Sequence, residues 1–361
     1  MAFNDSNLTV EEVCHVWVKE HLEFNQSKNV TLPEVNKILV LRMLGGIIFL
    51  SSLIVIGLFG NIHVLYVYSR KYKNSNYRIY VLWLAVLDIL NCTVSAPLVI
   101  AYLFHPVTFP SDLFCKVFRF LLYFCSVCST SALVVIAIDR CRKVLKPLKR
   151  QITTTQAKKL CVLCLIVAVL LSWPAVFLYG LTEAPTGIPG LVGQRCLAPL
   201  KYQRLMALFH IITVSYSLLV SSALVAVYLL IGRQIFRHSN FQNSVRKASK
   251  TFTDSIRATG EDTFCSGTTR GTLSNSSLVK TTGTLFVVTM AYVISAIPHH
   301  VLAIIFFINK TFDCGMSLLE GQFYYTFIWS YFINSAVNPF IYGFRDKKFR
   351  REIKILYSKS K

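Results

Sequence analysis

The sequence predicts an all-α membrane protein: a seven-transmembrane helix bundle with a short cytoplasmic amphipathic eighth helix. Three observations carry that reading. The 361 residues are 54% hydrophobic and only 15% charged, with a mean hydropathy of +0.52, whereas a soluble domain is about a quarter charged. Seven segments are apolar over the roughly 20 residues a spanning helix needs: 43–69, 78–104, 112–140, 158–180, 204–236, 280–308 and 321–343. Basic residues then gather in every second connection.

Those basic residues fix the orientation. They lie between spans one and two (Arg70, Lys71, Lys73), between three and four (Arg142, Lys143, Lys146, Lys149, Arg150), between five and six, and in the tail (Arg345, Lys347, Lys348, Arg350, Arg351). With seven spans all of these share one side, which the positive-inside rule makes cytoplasmic. The N-terminus is then extracellular and the chain is a multi-pass protein of the plasma membrane. The net charge of +21 therefore faces membrane lipid headgroups rather than nucleic acid.

The domains follow. Residues 1–40 form an extracellular glycosylated segment without an apolar core, so the first span acts as its own insertion signal. Residues 41–343 are the membrane domain. Within it, 237–280 is rich in Ser and Thr, lacks apolar periodicity and reads as a disordered third cytoplasmic loop. Arg246-Lys247-Ala248-Ser249 in that loop resembles a site for basophilic kinases. Residues 344–361 are the amphipathic helix and a short tail.

Glycosylation sequons agree with the topology. Asn4, Asn7, Asn25, Asn29 and Asn309 each head an Asn-x-Ser/Thr triplet on the expected outside. Asn91 heads another inside span two, where it stays unmodified. Of eleven cysteines, most lie within spans and act as small apolar residues. Four lie on the expected outer face, where disulfides persist. We expect Cys115–Cys196, and Cys14–Cys314 as the remaining pair.

Polar residues inside the spans point to a switch. Asn338-Pro339-Phe340-Ile341-Tyr342 closes the last span. Proline there frees one backbone carbonyl, which must find a partner inside the protein. Asp88 lies mid-span two, and a carboxylate at that depth needs partners. Asn61, Ser129, Asn334, Ser335 and Asn338 are the candidates, together with a sodium ion, which suits one carboxylate among neutral oxygens. The alternative is a hydrogen-bonded network that ties helices together. No other metal and no organic cofactor is expected. Asp139-Arg140 ends span three, and Arg140 lies about 37 Å of helix below Cys115.

At this point the chain resembles the rhodopsin-like G-protein-coupled receptors across all seven spans. The matching residues are Gly60-Asn61 with Val64, Leu84-Ala85 with Asp88, Cys115, Asp139-Arg140 with Pro147-Leu148, Trp173, Cys196, Tyr228, Pro298, and Asn338-Pro339 with Tyr342. The resemblance implies an agonist site opening outward and a heterotrimeric G protein bound inside, with arrestin and receptor kinases as further partners. By the same resemblance Asp139 and Arg140 meet the G-protein C-terminus and Leu148 docks in a G-protein pocket. Tyr228 and Tyr342 stabilise the active state.

The chain also departs from the pattern. Span five has no proline, and Val220 holds the expected place. Cys141 follows Arg140 where tyrosine is common. Ala296 stands where tryptophan is usual, and Tyr292 where phenylalanine is. No acid near Thr282 and Gly283 offers Arg140 an interhelical partner.

Absences narrow the ligand. The outer half of span three holds no aspartate for a biogenic amine, and span seven holds no lysine for retinal. The expected pocket is Tyr102, His105, Tyr123, His210, His299, His300, Tyr325 and Trp329, a set suited to an aromatic or amidated peptide end. Asp112, Glu183, Asp313 and Glu320 at the rim favour a basic peptide. The chain thus reads as a neuropeptide receptor, with a lipid-mediator or orphan receptor as the alternative. A channel or transporter is more distant, since neither pore-lining charges nor matched broken helices appear. Scattered histidines argue against a metal hydrolase, so no enzyme is expected.

The missing partner for Arg140 makes the resting state loosely held. Cells expressing the chain at the surface should signal without ligand; a silent receptor at good surface expression contradicts this.

Overall fold

The computed structural model describes residues 30–186, 188–259, 270–308 and 316–358, side chains over 238–277 and of Phe307 excepted. Among the described residues six helical segments are long and apolar enough to cross a membrane. The first is α1 (Leu32–Lys71). The second crossing is α2 (Asn76–Leu90), a π-turn (Asn91–Ser95) and α3 (Ala96–Phe104). Then come α4 (Asp112–Leu145), α5 (Thr154–Ser172) with the short α6 (Ala175–Leu178), α7 (Gln203–Thr259) and α8 (Arg270–Ile308).

The seventh crossing is composite. α9 (Leu318–Phe327) is followed by a 3₁₀ turn (Ser330–Phe332) and α10 (Ile333–Arg345). Each piece alone is shorter than a span. The amphipathic α11 (Lys347–Ser358) follows at once. Asp346 starts it by accepting the Lys348 and Phe349 amides at 3.0 and 3.1 Å, the usual work of an N-cap carboxylate.

Three boundaries differ from expectation. Helix α1 begins at Leu32, inside the segment read as polar. Thr31 and Glu34 form a capping box, with the Thr31 amide donating to Glu34 at 2.8 Å, and Pro33 occupies the first turn. Val35 is fully buried against Val107 and Ala184 of the outer loops, so this first turn is packed structure. The second difference is α7, which stays helical to Thr259 although 237–280 reads as a disordered loop. No glycine or proline interrupts the chain between Gly232 and Gly260, so nothing breaks the helix. α7 is also continuous past Val220, which holds the place of the missing proline.

The third difference is a β-hairpin in the outer loop after α6. Strands β1 (Gly180–Pro185) and β2 (Val192–Leu197) pair antiparallel, with Leu181 opposite Cys196. The turn between them uses Gly190 at φ 79°, a conformation that favours glycine. The segment after α3 docks on the hairpin: Phe109 N–H donates to Gln194 at 2.9 Å and Gln194 N–H donates to Val107 at 2.7 Å.

Close approach of α1 to the seventh crossing rests on glycine. A Cβ on Gly46 would lie 2.5 Å from the Tyr325 carbonyl oxygen, and one on Gly60 would lie 2.6 Å from the Pro339 ring. Small residues let backbones meet this way in membranes. Gly46→Ala should therefore cost about 1–3 kcal/mol, whereas Gly232→Ala, with open space around it, should be neutral or stabilising by up to about 1 kcal/mol. Thermal unfolding of the purified variants checks the pair; equal midpoints contradict the packing.

Candidate functional site

The outer site is organised by α4. Cys115 in its first turn is bonded to Cys196 of β2, with a Cα–Cα distance of 5.4 Å. One turn inward, Arg119 is buried and donates from Nη2 to the Cys196 carbonyl at 3.0 Å. Its guanidinium lies 4.6 Å from the Tyr179 ring centre, 4.8 Å from Tyr102 and 5.0 Å from Phe118. Such faces attract cations. Sequence reading passed over Arg119. The signal was present as one cation four residues past Cys115 in an apolar run.

A polar chain extends from this cation. The Tyr123 and Tyr179 hydroxyls are 2.9 Å apart, and the Tyr179 hydroxyl lies 3.4 Å from His210 Nε2. Tyr102, Tyr123 and His210 of the expected pocket thus gather near Arg119. His299 and His300 form a second group. His299 Nδ1 is 2.6 Å from the Ile328 carbonyl and its ring is 4.8 Å from Tyr331. His300 Nε2 is 2.7 Å from Ser217 of α7. Trp329 is buried beside Tyr331 and Phe332. Tyr102, Tyr123, Tyr325, Trp329 and Tyr331 all pack in one outer cluster.

His105 and Tyr325 sit at its margins. His105 is tied to Thr108 in the loop at 3.0 Å, and Tyr325 stands on the α1 side against Gly46. Of the described rim acids, Asp112 and Glu320 are engaged locally and Glu183 is exposed on β1. Asp112 pairs with Lys116 and accepts the Leu181 amide at 2.9 Å. Glu320 caps α9, its carboxylate accepting the Ser317 amide at 2.8 Å. Asp313 lies outside the described residues, as do Cys14, Cys314 and the five sequon asparagines.

The middle layer is a buried polar network. Asn338 Nδ2 donates to Asp88 at 2.8 Å. Asn61 Nδ2 donates to the carbonyls of Gly57 at 2.9 Å and Ser335 at 2.7 Å. Ser335 is the residue whose carbonyl Pro339 frees. Asn91 Nδ2 donates to Ser129 at 3.4 Å, which places Asn91 far from any glycosylating surface. The Oδ1 atoms of Asn61, Asn334 and Asn338 are buried without a protein donor. Neutral oxygens beside a carboxylate are the donor set a sodium ion takes, so these residues fit that ion. Next to Ser129, Thr130 donates to the Tyr292 hydroxyl at 3.3 Å, joining α4 to α8 one turn from Ala296, which leaves no large ring.

The inner layer centres on Asp139. Its carboxylate takes Arg140, Lys143 at 3.0 Å and Asn76 Nδ2 at 2.8 Å. Asn76, missed from sequence, also donates to the Ile152 carbonyl at 2.8 Å, fixing the loop after α4. Arg140 has no interhelical acid among the described residues. Gly283, beside its expected place, leaves room for the Arg345 guanidinium. Tyr228 meets Thr289 at 3.3 Å, while the Tyr342 hydroxyl is buried without a protein partner. Arg140, Lys143, Leu278 and Thr281 line an open cleft of about 630 Å³ with Tyr72, Tyr77 and Asp346. Leu148 stands fully exposed on the same side.

Comparison with known proteins now decides the family. The family model of the seven-transmembrane receptors of the rhodopsin family matches residues 60–342. The chain belongs to this family. It is therefore a ligand-binding receptor that couples to G proteins, and it is not an enzyme. Among its relatives is cysteinyl leukotriene receptor 1 of Sus scrofa, 25% identical over 308 residues, 83% of this chain and 80% of the relative. The human form of that receptor is 24% identical over 84% of this chain and 82% of its own length. Growth hormone secretagogue receptor type 1 of Mustela putorius furo is 24% identical over 83% of this chain and 76% of its own length.

Proposed function

We propose that the chain stands in the plasma membrane with its N-terminus outside and senses an extracellular peptide through the outer cluster. It passes the signal to a heterotrimeric G protein in the Arg140 cleft. The observation that carries this is the single helix α4, which holds Cys115 and Arg119 at one end and Asp139-Arg140 at the other. Arrestin and receptor kinases act on the same cytoplasmic face. Sodium at Asp88 tunes the resting state.

A lipid mediator is the second reading. The relatives named for cysteinyl leukotrienes favour it, as the one named for a growth hormone secretagogue favours a peptide. The buried charge of the pocket is positive, and two of the three described rim acids, Asp112 and Glu320, are engaged locally, leaving Glu183 exposed. A basic peptide is therefore less suited than either an acidic lipid or a peptide with a free terminus.

A screen of peptides and lipid mediators, read by calcium and cyclic AMP together, tests the function. Arg140→Ala should abolish every response found while surface expression holds; surviving responses contradict the cytoplasmic site. For the sodium site, replacing choline chloride by sodium chloride should raise the unfolding midpoint of the purified receptor, since an ion that binds only the folded state stabilises it. Asp88→Asn should remove that dependence. Midpoints indifferent to sodium in the unaltered chain contradict it.

A further inference from the structure

We propose that Arg119 anchors an acidic group of the extracellular ligand, a carboxylate seated between α3, α4 and the β-hairpin. The proposal rests on the receptor reading and names the chemistry its outer site selects. Arg119 is 8% exposed, and a cation at that depth needs compensation. Elsewhere in the bundle compensation is a carboxylate: Asp139 answers both Arg140 and Lys143. Among the described residues no acid pairs with Arg119. Among the described residues its hydrogen bonds run to neutral groups, the Cys196 carbonyl and the Tyr102 side chain, and its Nε is buried without a partner.

A guanidinium offers five N–H donors in a planar fork that matches a carboxylate. The loop carbonyl and Tyr102 take part of the fork, and the buried Nε is left to bind. Three aromatic faces, from Tyr102, Phe118 and Tyr179, hold the fork in place and add attraction without neutralising the charge. The Tyr179 hydroxyl, already linked to Tyr123 and His210, stands ready to donate to the same anion. A purely structural clamp on Cys196 would need only one neutral donor and not a buried charge.

A carboxylate has two natural sources here, a fatty acid or a free peptide C-terminus, and matched probes separate them. The full-length purified receptor is heated with a 20-carbon polyunsaturated fatty acid or its methyl ester. In parallel it meets a library of short aromatic peptides as free acids or as C-terminal amides. At least one free acid should stabilise the receptor, with its neutral partner needing about ten- to a hundredfold more for the same shift. The family that shows the preference names the source.

In Arg119→Gln the acid should fall to the level of its neutral partner. Arg119→Lys, which keeps the charge but loses the fork, should keep a weaker preference and serves if the glutamine variant fails to fold. Equal shifts from acid and neutral partners, no shift from any acid, or a preference that survives Arg119→Gln each overturn the proposal. The same acids are then tested for G-protein activation. Stabilisation without activation contradicts the receptor reading and leaves the acid site standing. Activation without acid preference contradicts the acid site alone.

Discussion

The hydrogen bond from Asn61 to the Ser335 carbonyl is the constraint on which the rest of the bundle turns. Pro339 removes the amide that would have satisfied that carbonyl, and the hydrocarbon core supplies no water to replace it. Only a polar side chain from a neighbouring helix can do so. That requires α1 and α10 to touch, and Gly57 and Gly60 supply the clearance. Asn338 is thereby turned to Asp88, and the polar layer of the membrane centre is assembled. The Ser335 carbonyl is thus held across two helices rather than within its own. This leaves α10 a seam at which the chain can rearrange.

Helix α4 distributes that seam to both membrane faces. Its outer end is pinned to the β-hairpin by Cys115–Cys196 and carries Arg119 one turn below. Ser129 and Thr130 touch the middle layer through Asn91 and Tyr292. Asp139 and Arg140 close its inner end. The two ends differ in kind. The inner charges, Arg140 and Lys143, share one carboxylate, Asp139, which Asn76 holds in place. The outer charge is balanced only by a carbonyl and ring faces, so that end is completed by what binds there.

The spans, their orientation and the motif residues were legible because each depends on local composition or on fixed order along the chain. Asp88, Asn338 and Arg140 announce themselves as polar groups in apolar runs. Arg119 did not, because one cation near a span end resembles the snorkelling residues common there. Its burial is decided by the Cys196 carbonyl and Tyr179, which arrive from a loop remote in sequence. The break at Trp329 was illegible for a similar reason: hydropathy averages over a window and does not see where a helix is interrupted. The start of α1 at Leu32 was legible in Thr31-Leu32-Pro33-Glu34, but the polar composition around it hid the cap.

The central claim is that an acid at Arg119 and the cleft at Arg140 are two ends of one device. Spin labels at Lys146→Cys and Lys280→Cys, both at exposed positions near the Arg140 cleft, report the separation of α4 and α8 there. Their distance distribution is measured in the purified receptor, with Cys141 and Cys265 replaced by serine, before and after adding a stabilising free acid. A shift in the populated distances that is absent in Arg119→Gln is the result this account requires. An unchanged distribution with the acid bound would contradict it.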